Sequence, residues 1–430
     1  MDGQAQGSFL ATLLSTEGAG EARQWLKVLR AEALERANAL SVPTTRDEDW
    51  RFTDLSPLYR LSLRTPAAQA TADITPHLIA EAGVTLVFVN GGFREDLSRG
   101  LAGSGLECVR LRGAFADADW ISAHLGRIAA VGQDAFTAAN TAAMQDALAL
   151  RVPRGRRLDT PLHCLFLTIE GGVLTQPRVL LVAEPGSDAM IMEDHVGVTD
   201  AAYCTNGVVE IAVGENAEVR HVRLQREGKA AYHIGASAAA GARDGRYRNW
   251  SVAFGARLSR HNAHVRQDGP GTHFEMDGLA LLAHRQLADT HSFIDHAAPH
   301  GTSRQLHKCV VADGAHAVFN GRILVREGAQ RTDSAQESRN LLLSDKAKVD
   351  TKPQLEIFAD DVKCAHGATV GQLEAEEVFY LRSRGLSEPV ARNLLTYAFA
   401  ADIVDRIPVP SLVRVLRARI IERTGGPELP

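Results

Sequence analysis

Cysteine is scarce in this 430-residue chain: five are present, Cys108, Cys164, Cys204, Cys309 and Cys364, with no C-x-x-C pair. An odd number at such wide spacing argues against a disulfide framework. It argues equally against a self-contained zinc ribbon or ferredoxin-type cluster, which gathers thiolates at short intervals. No apolar run approaches the roughly 20 residues of a membrane span, and residues 1–7 carry no basic group ahead of Phe9-Leu10, so a cytoplasmic protein is expected. Positive charge is not in excess: 47 Lys and Arg against 52 Asp and Glu give a formal charge of -5, with no global field for nucleic acid or an anionic membrane. The phosphate loop G-x-x-x-x-G-K-[ST] is missing, because Gly228-Lys229 is followed by Ala230, which has no hydroxyl for magnesium. ATP hydrolysis is not expected.

What is present is a folded composition, 45% hydrophobic and 23% charged, long enough for one large unit or several smaller ones. Trp25, Leu26, Leu29, Ala33, Ala37 and Leu40 recur at steps of three and four, which predicts an amphipathic helix from Glu21 stopped by Pro43. Residues 84–89 form an apolar run closed by Asn90-Gly91-Gly92, a buried strand. Asp134 is placed to cap a helix over the Ala-rich residues 135–150. From 162 to about 370 the helical period disappears and short β-rich pieces follow, among them 179–182, 208–213, 219–224, 323–325 and 341–343. Their turns resemble one another, with alanines at positions 217, 315, 329 and 347, and the spacing of the last three is unequal. A solenoid of stacked coils fits that irregular repeat better than a hairpin sandwich, since few Asn-Gly or Asp-Gly turns join the strands. The helical period returns at 376–384, closed by Gly385, and in a helix capped by Ser387 with Val390, Leu394, Tyr397, Ala401 and Val404 on one stripe. A last helix from Ser411 presents Arg414, Arg417, Arg419 and Arg423 and stops at Gly425-Gly426. The reading is three regions: a largely helical 1–155, a β core 156–370 and a helical tail 371–430.

Two groups of residues could carry chemistry. Nine of the 16 histidines, His261, His264, His273, His284, His291, His296, His300, His307 and His316, fall between 261 and 316. A β-helical or cupin-like metal-dependent hydrolase using them is one reading, against a polar strand face of hydrogen-bonded imidazoles. The second group is Asp360-Asp361-Val362-Lys363-Cys364-Ala365-His366-Gly367-Ala368-Thr369. In an extended strand Val362, Cys364 and His366 share one face. A thiol and an imidazole suit iron but are too few to hold a cluster unaided, so a partner would complete the site. The alternative is that Val362 and Cys364 are core and His366 is a buried, satisfied histidine.

The runs Thr332-Asp333-Ser-Ala335-Gln336, Asn340-Leu-Leu-Leu343-Ser344, Lys352-Pro353-Gln-Leu-Glu356-Ile357, Asp360 to Thr369 and Phe379-Tyr380-Leu381-Arg-Ser-Arg-Gly385, with Glu48-Asp49-Trp50-Arg51-Phe52-Thr53 near the start, resemble the SufB/SufD family of iron-sulfur cluster assembly proteins. The form Lys-Cys-x-His-Gly-Ala-Thr, with no glutamate after the histidine, is that of the branch opposite SufB. Ala365 departs from the serine expected there. The resemblance implies a mainly β protein, a right-handed parallel β-helix flanked by N-terminal and C-terminal α-helical domains. It implies a non-catalytic scaffold subunit of the SufBCD complex that pairs with SufB through the β-helix and docks the SufC ATPase through its C-terminal helices, where Phe379, Tyr380, Leu381, Arg414 and Arg417 are the expected contacts. No permanently bound cofactor is implied. Iron or a nascent cluster would be held transiently at the interface with SufB, by His366 and with Cys364 beside it. A structural homodimer with no cluster role is a third reading.

Overall fold

A computed structural model describes residues 2–15, 23–66, 70–112, 119–129, 134–144 and 146–424. Two ten-stranded sheets face each other and the chain alternates between them. One sheet runs from Gly92–Arg99 and Val84–Val89 through Leu162–Thr168, Asp188–Gly197, Glu218–Arg226, Arg246–Ala253, His273–Leu282, Thr302–Val311 and Asp333–Leu342 to Lys363–Gly371. The other runs from Glu107–Arg110 and Ala147–Val152 through Arg178–Ala183, Cys204–Val213, Tyr232–Gly241, Leu258–Gln267, Leu287–His296 and His316–Val325 to Lys348–Ile357, with the short Leu174–Thr175 beside Cys204–Val213. Antiparallel pairing occurs between the first two strands of each sheet, and the other pairings among the described residues are parallel. This is the expected β-solenoid.

The irregular alanine spacing has a geometric cause. Ala315 and Ala347 occupy one corner of successive coils, the Lys348 N–H donating to the Ala315 carbonyl, whereas Ala329 turns the opposite corner. Each corner closes by the alanine N–H bonding the carbonyl three residues back, with the methyl packed inward. Asn216, Asp244 and Asp313 take φ of 54°, 55° and 54° at these corners, the left-handed region that Asn and Asp tolerate. The coils also differ in length: the one that brings Leu258 beside Tyr232 is shorter than the one that brings Lys348 beside His316, which blurs the repeat.

Both outer faces are covered. The helix Gln24–Leu40 forms as its period predicts, burying Leu26, Ala33 and Ala37, and ends at Ser41; its proposed start at Glu21 lies outside the described residues. The helices before it and after it, Asp2–Leu13 and Ala135–Ala142, join it over the second sheet. Glu210 on that sheet is ion-paired with fully buried Arg178 and accepts from the Gly126 N–H, while Arg178 also donates to Asn140 and Thr141. The first sheet is covered by Glu388–Val404 and Pro410–Thr424, whose Ala400, Ile403, Val404, Leu412, Leu416 and Ile420 pack on Met190, Met192, Val222, Leu224, Trp250, Val252, Leu279, Leu281 and Val310. Lys308 pins this contact, its Nζ 2.6 Å from Asp402 and 3.1 Å from the Phe399 carbonyl.

Two expectations change, the length of one helix and the buried side of another. Asp134 does cap a helix, accepting from the Thr137 N–H at 2.8 Å, but the helix ends at Ala142. Residues 147–152 become a strand because Arg178–Ala183 supplies a parallel ladder and a buried face that outweigh the helical propensity of Ala and Leu. The expected strand Val84–Val89 forms and pairs in parallel with Leu162–Thr168. The buried side of the helix after Ser387 is Ala391, Thr396, Ala400, Ala401, Ile403 and Val404, with Val390, Leu394 and Tyr397 only partly covered. Gly385 takes φ of +93° after the helix Ala375–Ser383, as its capping role requires. The proposed stop at Gly425-Gly426 lies outside the described residues.

The buried histidines make the fold acid-sensitive. Burial pushes His307 down to about 4. Burial outweighs the nearby Asp295 and brings His296 down to about 4 as well. Both titrate near 6.5 when unfolded, so below that pH the unfolded chain binds more protons and stability is lost as the pH falls, by up to roughly 3 kcal/mol per histidine. Thermal melts should show Tm holding above about pH 6.5 and dropping steadily toward pH 4; a flat Tm across that window would contradict neutral burial of these rings.

Candidate functional site

The solenoid ends on two strands, Lys348–Ile357 and Lys363–Gly371, each the last of its sheet. Among the described residues no further strand meets their outer N–H and C=O groups, and Pro353, which lacks an N–H, sits on one of these edge strands, the place where sheets accommodate proline. Around this end Ile357, Phe358 and Val370 are exposed, Phe358 at 64%. An unpaired edge flanked by apolar side chains is a surface built to be covered.

The sequence-predicted pair lies here. Cys364 aligns with Ser334 and His366 with Gln336 on the neighbouring strand. Val362 and Cys364 pack against the interior apolar cluster, so both are core in part. Burial pushes the Cys364 thiol up, opposed by a hydrogen bond from the Ser334 backbone. His366, two residues on, is exposed, not buried and satisfied as the alternative reading required. The thiol and the imidazole therefore share a row at the open end of the core, one half-buried and one facing solvent.

The second predicted surface is on the tail. In the helix Ala375–Ser383 only Val378 is buried, while Phe379 and Tyr380 are 70% and 57% exposed and Leu381 is half-buried. The Arg384 guanidinium lies over the Tyr380 ring and donates to its hydroxyl at 3.0 Å, which holds the ring outward. Arg414 is exposed, but Arg417 is engaged with Asp405 at 2.9 Å, Arg419 with Glu422 at 3.1 Å, and Arg423 reaches the Leu281 carbonyl and Gln286, so three of the helix arginines act within the chain.

The nine clustered histidines are dispersed. His261, His296 and His307 are buried, His307 stacked on Phe319, while His273, His291 and His316 pair with Glu275, Asp289 and Asp350. Among the described residues no three His, Cys, Asp or Glu side chains gather to hold a metal ion, and the hydrolase reading has no geometric support there.

Reading the chain piece by piece missed the polar seam between the sheets. Glu193 accepts from His195 at 2.7 Å, His221 at 3.1 Å and Ser237 at 3.1 Å and lies 3.5 Å from Arg223, all buried. Burial pushes its carboxyl up, but these partners outweigh it and hold Glu193 well below the usual carboxylate range. Toward the open end the seam continues as Ser292, Gln305 and Gln336. Its signal was the alternation of polar residues at every second position, as in Glu193-x-His195 and His221-x-Arg223-x-Gln225, which marks one strand face. Ordinary patterning assigns such a face to solvent.

A family model described as the SufBD core domain of the SUF system for FeS cluster assembly matches residues 166–399, and one for the SufBD protein N-terminal region matches residues 19–164. An iron-sulfur cluster assembly SufBD family protein of Synechocystis is 41% identical over 411 residues, 92% of this chain and 90% of that protein. The iron-sulfur cluster assembly protein SufD of Escherichia coli is 32% identical over 421 residues, 94% and 97% of the two chains. SufD of Bacillus subtilis is 28% identical over 422 residues, 93% and 94% of the two chains.

Proposed function

The chain belongs to the SufBD family of iron-sulfur cluster assembly proteins, and from that premise we propose that it is a cytoplasmic, non-catalytic scaffold subunit that pairs with SufB and docks the SufC ATPase. The observation that carries this reading is the uncovered end of the solenoid, where two edge strands and the exposed Ile357, Phe358 and Val370 surround His366 and Cys364. SufB covers this end by extending both sheets, since backbone groups on an open edge gain partners from an added strand. Iron or a nascent cluster is cargo held between the two chains. His366 offers a ring nitrogen to it, and SufB supplies the ligands that two side chains cannot.

SufC docks on Phe379, Tyr380 and Leu381, with Arg414 alongside as a charged contact; large aromatic anchors of this kind dominate interfaces. Arg417, already paired with Asp405, supports the last helix and is the weaker contact. Co-expression with SufB and SufC tests the assignment. The three chains should co-elute, and replacing Phe379 and Tyr380 together by Asp should remove one copy of SufC per assembly while SufB is retained and the Tm of the free chain is unchanged, because both rings already face solvent. Full SufC stoichiometry in that variant would overturn the docking assignment. A chain that elutes alone with one tightly held metal would overturn the scaffold reading.

A further inference from the structure

The Gln336 amide is buried inside the last coil and held in one orientation. Its Nε2 donates to Gln305 Oε1 at 2.7 Å, and the same oxygen accepts from Ser292 Oγ at 3.0 Å. The facing strand makes room for it: a Cβ on Gly321 would lie 2.1 Å from Gln336 Nε2 and 2.8 Å from Oε1, so a glycine there is a condition of the amide lying across the core. With Nε2 committed to the inner coil, the other arm of the planar amide turns away from it, and Oε1 is buried with no hydrogen-bond donor among the described residues. A buried carbonyl oxygen of this kind is costly to leave unmatched.

Gln305, Gln336 and His366 occupy the same register on three successive strands. Adjacent strands lie about 4.8 Å apart, and the two-residue alternation that brings Cys364 onto the core puts His366 on the same row as Gln336. We propose that Gln336 is a positioning residue: the exposed His366 ring, which does not reach Oε1 in the structure, rotates about its side-chain bonds to donate one ring N–H to that oxygen, and the imidazole is then held in a single tautomer with the other ring nitrogen bare for iron. A neutral imidazole binds metal through the nitrogen that carries no proton, and a carbonyl acceptor on the opposite nitrogen selects which one that is. This rests on His366 being the cargo ligand, as set out above. It gives the polar seam a role at the site: Ser292 and Gln305 orient Gln336, and Gln336 orients His366.

The test uses the full chain labelled with 15N-histidine, with the His366 signals identified by their loss in His366→Asn. Two-bond 1H–15N correlations report which ring nitrogen carries the proton. One tautomer should dominate in the parent chain, and Gln336→Leu should erase the preference. Gly321→Ala pushes on the amide from the facing strand and should act as Gln336→Leu does, which gives a second reading if Gln336→Leu folds poorly. In the complex with SufB and SufC, Gln336→Leu should lower cluster yield about tenfold. An unchanged tautomer ratio in both Gln336→Leu and Gly321→Ala overturns the proposal, even where His366→Ala is defective. If His366→Ala builds clusters normally while the tautomer still shifts, the contact stands and the ligand assignment falls.

Discussion

Cutting the chain after Gly371 will leave it insoluble. The tail reads as separable in the sequence because its helices follow the last strand, yet Glu388–Val404 and Pro410–Thr424 cover the apolar outer face of the first sheet. Removing them bares Met190, Met192, Val222, Leu224, Trp250, Val252, Leu279, Leu281 and Val310 together. At roughly 1.5 to 3 kcal/mol for each large apolar side chain, their sum matches or exceeds the roughly 5 to 15 kcal/mol that holds an ordinary domain folded. The shortened chain should sediment as aggregate on expression, whereas the Phe379 and Tyr380 substitutions keep the cover in place. A soluble monomer with cooperative unfolding would show that the tail is a separate body after all.

Replacing His366 by Ala should cut cluster formation in the complex at least about tenfold, as expected when a site with few ligands loses one. Co-elution with SufB and SufC should be unaffected. The side chain is exposed, so its removal should leave the free chain folded, with a loss of stability no larger than the roughly 1 kcal/mol of a single hydrogen bond. Cys364→Ser should be milder in cluster yield and costlier in stability, since it sets a hydroxyl against the interior cluster that the sulfur now packs on. Anaerobic reconstitution followed by visible absorbance reads the first effect, and thermal melts read the second. If His366→Ala fails to assemble with SufB while building clusters normally in what does assemble, the histidine is an interface residue and not a ligand.

Much of the fold was legible in short windows because the responsible physics is short-ranged. β-Branched runs mark strands, Asn and Asp mark the left-handed corners, buried alanines mark the tight ones, and the three-to-four spacing of Leu26, Ala33 and Ala37 marks a helix. Period-two alternation also put Cys364 and His366 on one face, and the motif around them pointed to the family. Residues 135–150 show where this ends. Their Ala and Leu favour a helix throughout, but the last part has a strand waiting beside it, and the ladder and burial that strand offers decide the conformation.

The polar seam marks the limit more sharply. Glu193, His221 and Ser237 stand on three different strands, as do Ser292, Gln305 and Gln336, and the chain distances between them are set by coil length and not by any local period. The sequence by itself determined most of the strands, corners and helices and the side of its strand on which each side chain stands, the strand Ala147–Val152 being the exception. Only the tertiary structure decided which rows meet, which sheet face the tail covers, and that His366 stands at an open end. Those outcomes depend on coils of unequal length stacking in register, and a one-residue slip in a corner would turn every following row to the opposite face.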